Sequence, residues 1–121
     1  MPRPSEDDVR TILRDRGAAE HVIRGGAEGL IGAWRRFAAQ VEHGYPLGLE
    51  DYRNDLDIRT LIAVAGLASE VAGEDERFRR MMSPAGRAVW PSDVPGAFWT
   101  MGYPSNAAGP LLDDLRAEGF L

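Results

Sequence analysis

Between residues 27 and 41 the apolar side chains recur at steps of three and four: Ala27, Leu30, Ile31, Trp34, Phe37, Ala38 and Val41. That spacing puts all seven on one face of an α-helix, while Glu28, Arg35, Arg36 and Gln40 fall largely on the other. A buried face this wide needs other helices to cover it. The rest of the chain supplies them and offers no alternating run long enough for a sheet. The expected fold is all-α, a small bundle of about four to five helices.

The first helix is expected at roughly 6–16. Ser5 can accept from the amide of Asp8, Glu6, Asp7 and Asp8 sit where the helix dipole favours negative charge, and Val9, Ile12 and Leu13 form a narrow apolar stripe before Gly17. Residues 18–26 read as a short helical turn or an extended connector. The second helix is predicted over about 26–43, with His43 near its last carbonyls and Gly44 ending it. Gly25 and Gly26 read as its entry turn, and Gly29 and Gly32 as a place where another helix approaches closely.

Tyr45-Pro46-Leu47-Gly48 is a turn, because Pro46 biases Tyr45 away from helical backbone. The third helix is predicted over about 49–72, with a break near 54–57. Leu61 to Ala68 is apolar nearly all round, which marks this helix as the central one. Asp75 is placed as the cap of a fourth helix that buries Phe78, Met81 and Met82 and ends before Pro84. Pro110, at a first helical position, opens the last helix, with Leu111, Leu112 and Leu115 inward and Phe120 folding back on its end.

Residues 85–110 differ in texture. Five prolines punctuate positions 84–110, yet Val89, Trp90, Val94, Phe98, Trp99, Met101 and Tyr103 lie among them. A disordered linker does not carry so many aromatics. The expectation is an ordered, irregular arm packed on one helical domain spanning 1–121, with at most a short helical turn near 93–101.

Composition excludes several chemistries. All 14 basic residues apart from histidine are Arg, and there is no Cys. No lysine Schiff base, phosphate-loop lysine, cysteine nucleophile, thiolate metal site or disulfide can be built. The Arg-only set, with much Ala and Gly, reads as the coding bias of a GC-rich bacterial genome. A net charge of -5 argues against a general nucleic-acid or anionic-membrane binder. The start Met-Pro-Arg-Pro-Ser-Glu-Asp-Asp lacks the apolar stretch of a signal peptide. These points predict a cytoplasmic protein with no cofactor.

Three groups of residues are candidate sites. Asp51 and Asp55 share a helical face one turn apart, and Glu70 and Glu74 repeat that spacing. Converging carboxylates of this kind hold Mg²⁺ or Mn²⁺, so the alternative function is a metal-dependent phosphate-ester or pyrophosphate hydrolase. The plainer reading makes Asp55–Arg59 and Arg53–Asp57 helical ion pairs on a solvated face. Arg53, Arg59, Arg77 and Arg80 are weak anion-binding candidates. Trp90, Phe98, Trp99 and Tyr103 are interface candidates or a cap on the core. The sequence lacks the glycine pattern of dinucleotide binding, the serine nucleophile elbow and the paired-histidine zinc motif. The leading expectation is therefore a protein-interaction or regulatory module, acting on a partner or on a second copy of itself.

Overall fold

A computed structural model describes residues 3–121. Met1 and Pro2, which open the segment read as leaderless, lie outside the described residues. The described residues fold into five α-helices: α1 (Glu6–Asp15), α2 (Glu20–His43), α3 (Leu49–Val64), α4 (Ala72–Met81) and α5 (Gly109–Ala117). Two short strands, β1 (Met82–Pro84) and β2 (Gly102–Pro104), pair antiparallel, with Met82 opposite Pro104 and Pro84 opposite Gly102. The all-α reading holds. The ladder is three residues long, too short for any alternation to reveal it.

The hub is α2, not α3. Its buried residues include Ile23, Leu30, Ile31, Trp34, Phe37 and Val41, and it touches α1, α3 and α4. Leu61 and Val64 of α3 are only partly buried, so the apolar run there faces fewer neighbours than its composition suggests. The third helix also ends earlier than expected. It stops at Val64, Gly66 turns the chain at φ 75, and a 3-10 turn at Ala68–Val71 leads into α4. Gly73 lies inside α4. There is no break near 54–57.

Residues 20–25 are helical and form the first part of α2, joined to the rest across a kink at Gly26, whose backbone sits at φ 58, ψ -151. The kink strands polar groups on both sides, and α1 satisfies them. Glu6 accepts from the amide of Ala27 at 2.8 Å, while Arg10 donates to the carbonyls of Ile23 and Arg24. The positive end of the main α2 segment is thus already occupied by a carboxylate. The same device recurs at α3, where Asp114 of α5 accepts from the Leu49 amide at 3.0 Å. Ser5 caps α1 as expected, accepting from Asp8 at 3.1 Å. His43 is exposed, and the last carbonyls of α2 are taken instead by Asn106, which donates to Val41 at 2.9 Å.

One core runs from Val9 to Leu115. Rings are its backbone: Tyr45, Tyr52, Phe37, Trp34, Phe78, Phe98 and Trp99 form an unbroken chain of neighbours with centroids 5.1–6.3 Å apart. Each such pair contributes about 0.5–1.5 kcal/mol beyond its buried area. The last two rings belong to the arm, so the arm completes the core.

Candidate functional site

The charges of the polar stretch 50–59 do not form the helical pairs Asp55–Arg59 and Arg53–Asp57. Arg59 reaches α4, donating to both oxygens of Asp75 at 2.9 and 2.8 Å. Trp34 of α2 donates its indole N–H to the same carboxylate at 3.0 Å. Asp75 is therefore a buried acceptor joining three helices, not a helix cap. One guanidinium nitrogen of Arg59 has no hydrogen-bond partner among the described residues. The guanidinium carbon lies 4.5 Å from the centroid of the Trp99 ring, a cation–π contact to the group as a whole.

The other charges of α3 hold the arm. Arg53 donates to the carbonyl of Val89 at 2.8 Å and forks onto Glu118, the residue that follows α5, at 2.8 and 3.1 Å. Asp57 accepts from the indole N–H of Trp90, and Arg53 lies 5.7 Å from that ring's centroid. Thr60 accepts from Trp99 at 3.1 Å and shares a hydrogen bond with Ser92. Arg16, at the C-terminal end of α1, forks onto Asp93 at 2.7 and 2.9 Å. Thus one face of α3, together with α1, fixes residues 89–99. The β1–β2 ladder closes the base of the loop, with Ala85 donating to Met101 at 3.1 Å.

The four carboxylates of the metal reading do not converge. Asp51 is exposed, and Asp55 accepts from the Tyr45 hydroxyl at 2.7 Å. Glu70 faces Arg3 at 3.6 Å, and Glu74 binds Arg35 at 3.0 Å. Among the described residues no three His, Asp or Glu side chains are placed to hold an ion. Burial pushes the Asp55 carboxyl upward, with Asp51 adding to the shift and the Tyr45 hydrogen bond opposing it.

The four anion-binding candidates are likewise engaged within the protein. Besides Arg53 and Arg59, Arg77 faces Glu42 at 3.4 Å and Arg80 pairs with Glu76 at 2.7 Å. Arg79 is different. It stacks on the Phe98 ring at 3.9 Å and has no carboxylate partner among the described residues.

The aromatic candidates divide. Trp99 is only 3% exposed and belongs to the core, which corrects its assignment as an interface residue. Trp90, Phe98 and Tyr103 are partly buried against the core. Phe98 packs at steep interplanar angles against Phe78 and Trp99 and also lines the outer surface of the arm. There, Pro91, Val94, Ala97, Phe98 and Met101 border an open, mainly apolar groove of about 670 Å³. A second depression beside it is lined by Arg79, Met82, Pro84, Phe98 and Met101. Met101 is 50% exposed between the two. In the sequence Met101 is one apolar residue of the arm among several, and a lone methionine gives no signal of which way it faces.

The chain matches no family model, and no curated protein or solved structure compared with it matches either. Among the described residues no helix is long and apolar enough to cross a membrane.

Proposed function

We propose that this is a protein-interaction module whose contact surface is the outer face of the arm. The observation that carries the reading is Met101, half exposed in an apolar groove on a loop that α1, α3 and the ladder hold in place. A loop fixed this firmly loses little further freedom on binding, which is what a contact surface needs. Arg79, stacked on Phe98 beside the groove and without an acidic partner among the described residues, sets the charge of the occupant. The partner is a segment of another protein that places one or two apolar side chains in the groove and a carboxylate on Arg79. The net charge of -5 argues for a protein rather than a nucleic acid. The absence of cysteine fits a reducing, cytoplasmic setting.

Calorimetric titration with short synthetic peptides tests this. Peptides carrying Leu or Phe flanked by Asp and Glu are expected to bind, and versions with Lys in place of the acids are not. Met101→Asp and Arg79→Glu each abolish the binding. Concentration-dependent dimers broken by Met101→Asp would replace the foreign partner with a second copy. A strict monomer that binds neither peptide series overturns the proposal.

A further inference from the structure

The outer face of α2 carries a second feature, remote in sequence from the arm. A pocket of about 300 Å³ opens between α2 and α3, with Val22, Leu30 and Ile58 as apolar lining and His21 and Arg36 as its polar members. Small-molecule sites begin at about this volume, and they combine apolar walls with a few placed polar groups.

Two observations give the pocket a direction. Gly25 and Gly29 form part of its wall, and a Cβ added at either would meet nothing within 4 Å. Neither has a positive φ, so neither backbone conformation requires glycine. Glycine weakens a helix relative to alanine, and here the structure offers no packing gain in return. What the missing side chains leave is the hollow. The expectation that Gly29 and Gly32 admit a neighbouring helix is corrected by the same measurement, since only the Arg36 side chain comes near Gly32.

The second observation is that side chain. One guanidinium nitrogen of Arg36 lies 3.3 Å from where a Gly32 Cβ would stand. The arginine therefore folds back along the helix towards the hollow. It has no carboxylate partner among the described residues, whereas its neighbour Arg35 binds Glu74.

We propose that this pocket binds a small organic monocarboxylate. The apolar body, a short chain or a single ring, rests on Val22, Leu30 and Ile58 where the two glycines leave room. The carboxylate lies in the fork of Arg36, whose planar donors match its two oxygens. His21 contributes a further ring N–H. This site and the arm surface share no residue, so either proposal can fail without the other.

Amide NMR spectra of the full chain titrated with hexanoate and with benzoate provide the test. Hexanamide serves as the uncharged control and inorganic phosphate as the simple anion. Both acids are expected to shift the amides of Gly25, Gly29 and Ala33. Arg36→Met weakens binding roughly tenfold or more, the loss expected for one charge-assisted pair. Arg36 is exposed, so that variant keeps its fold. Gly29→Leu fills the hollow and abolishes binding while the rest of the spectrum stays native. Equal binding of acid and amide, shifts caused by phosphate alone, or no shifts with either acid would overturn the proposal.

Discussion

Arg59 and Asp75 form a two-bond ion pair whose side chains are 5% and 10% exposed, and Trp34 donates to the same carboxylate. Burying both charges is costly, so the pair as a whole contributes little against apolar residues of the same size. Removing one member is a different matter. Asp75→Ala leaves a buried guanidinium and an unpaired indole N–H, and destabilisation of about 3–5 kcal/mol is expected. Arg59→Met combined with Asp75→Leu is expected to recover the part of that loss due to the unpaired charge, while the Trp34 indole N–H stays unpaired at a cost of about 1–3 kcal/mol. Urea unfolding of the three proteins checks both. A loss below about 1 kcal/mol for Asp75→Ala, the scale of exposed pairs, would contradict the burial.

The kink at Gly26 predicts opposite signs for two glycine substitutions in one helix. Gly26→Ala forces a side chain onto φ 58 and into the Glu6 carboxylate, and is expected to destabilise by more than about 1 kcal/mol. Gly29→Ala meets open space at ordinary helical backbone and is expected to stabilise by about 0.5–1 kcal/mol. Thermal melts of the two variants decide the matter; equal effects would remove the kink from the account.

The arm should loosen when its anchors on α3 are cut. Trp90→Phe keeps the ring but loses the bond to Asp57, a charge-assisted bond of about 1.5–3 kcal/mol. Limited proteolysis is expected to cut the variant within 85–101 before the helices, whereas the parent protein is cut slowly there. Identical cleavage patterns would show that the anchor does not hold the loop.

Acid should weaken the same attachment. Arg16 and Arg53, through hydrogen bonds, hold the Asp93 and Glu118 carboxyls below their usual range, with slight desolvation opposing. A carboxyl lowered on folding adds stability that is complete above its unfolded value and is lost as pH falls through the folded one. Asp55 runs the other way. Its folded value is raised, so its contribution declines as pH climbs from the unfolded value through the folded one, leaving a penalty at neutral pH. Asp55→Asn keeps an acceptor for Tyr45 and removes that penalty. It is expected to raise the melting temperature at pH 7 and to have little effect in strong acid. The same melts with millimolar Mg²⁺ or Mn²⁺ should not move; a rise that Asp55→Asn abolishes would restore the metal reading.

What the sequence made legible was local. The face from Ala27 to Val41 and the Ser5 cap both follow from spacing and residue type within one element. What it hid was supplied across elements. α3 and the main segment of α2 begin without a capping side chain of their own, because Asp114 and Glu6 arrive from other helices. Arg53, Asp57 and Arg59 looked paired at four-residue spacing, since periodicity shows which residues share a face and not what lies opposite. Their partners are 16 to 65 residues away. Arg36 and Met101 were missed for the same reason: both matter through what surrounds them in space.

The ladder at the foot of the arm has an evolutionary consequence. Pro84 and Gly102 face each other, so the intervening loop leaves and returns at one point. Loop-closure entropy grows slowly, by roughly 0.6 kcal/mol for each doubling of length. Insertions and deletions near Pro95 and Gly96, where the chain is exposed, can therefore accumulate without disturbing the helices. Descendants of this sequence are free to exchange the surface they offer while inheriting the frame that carries it.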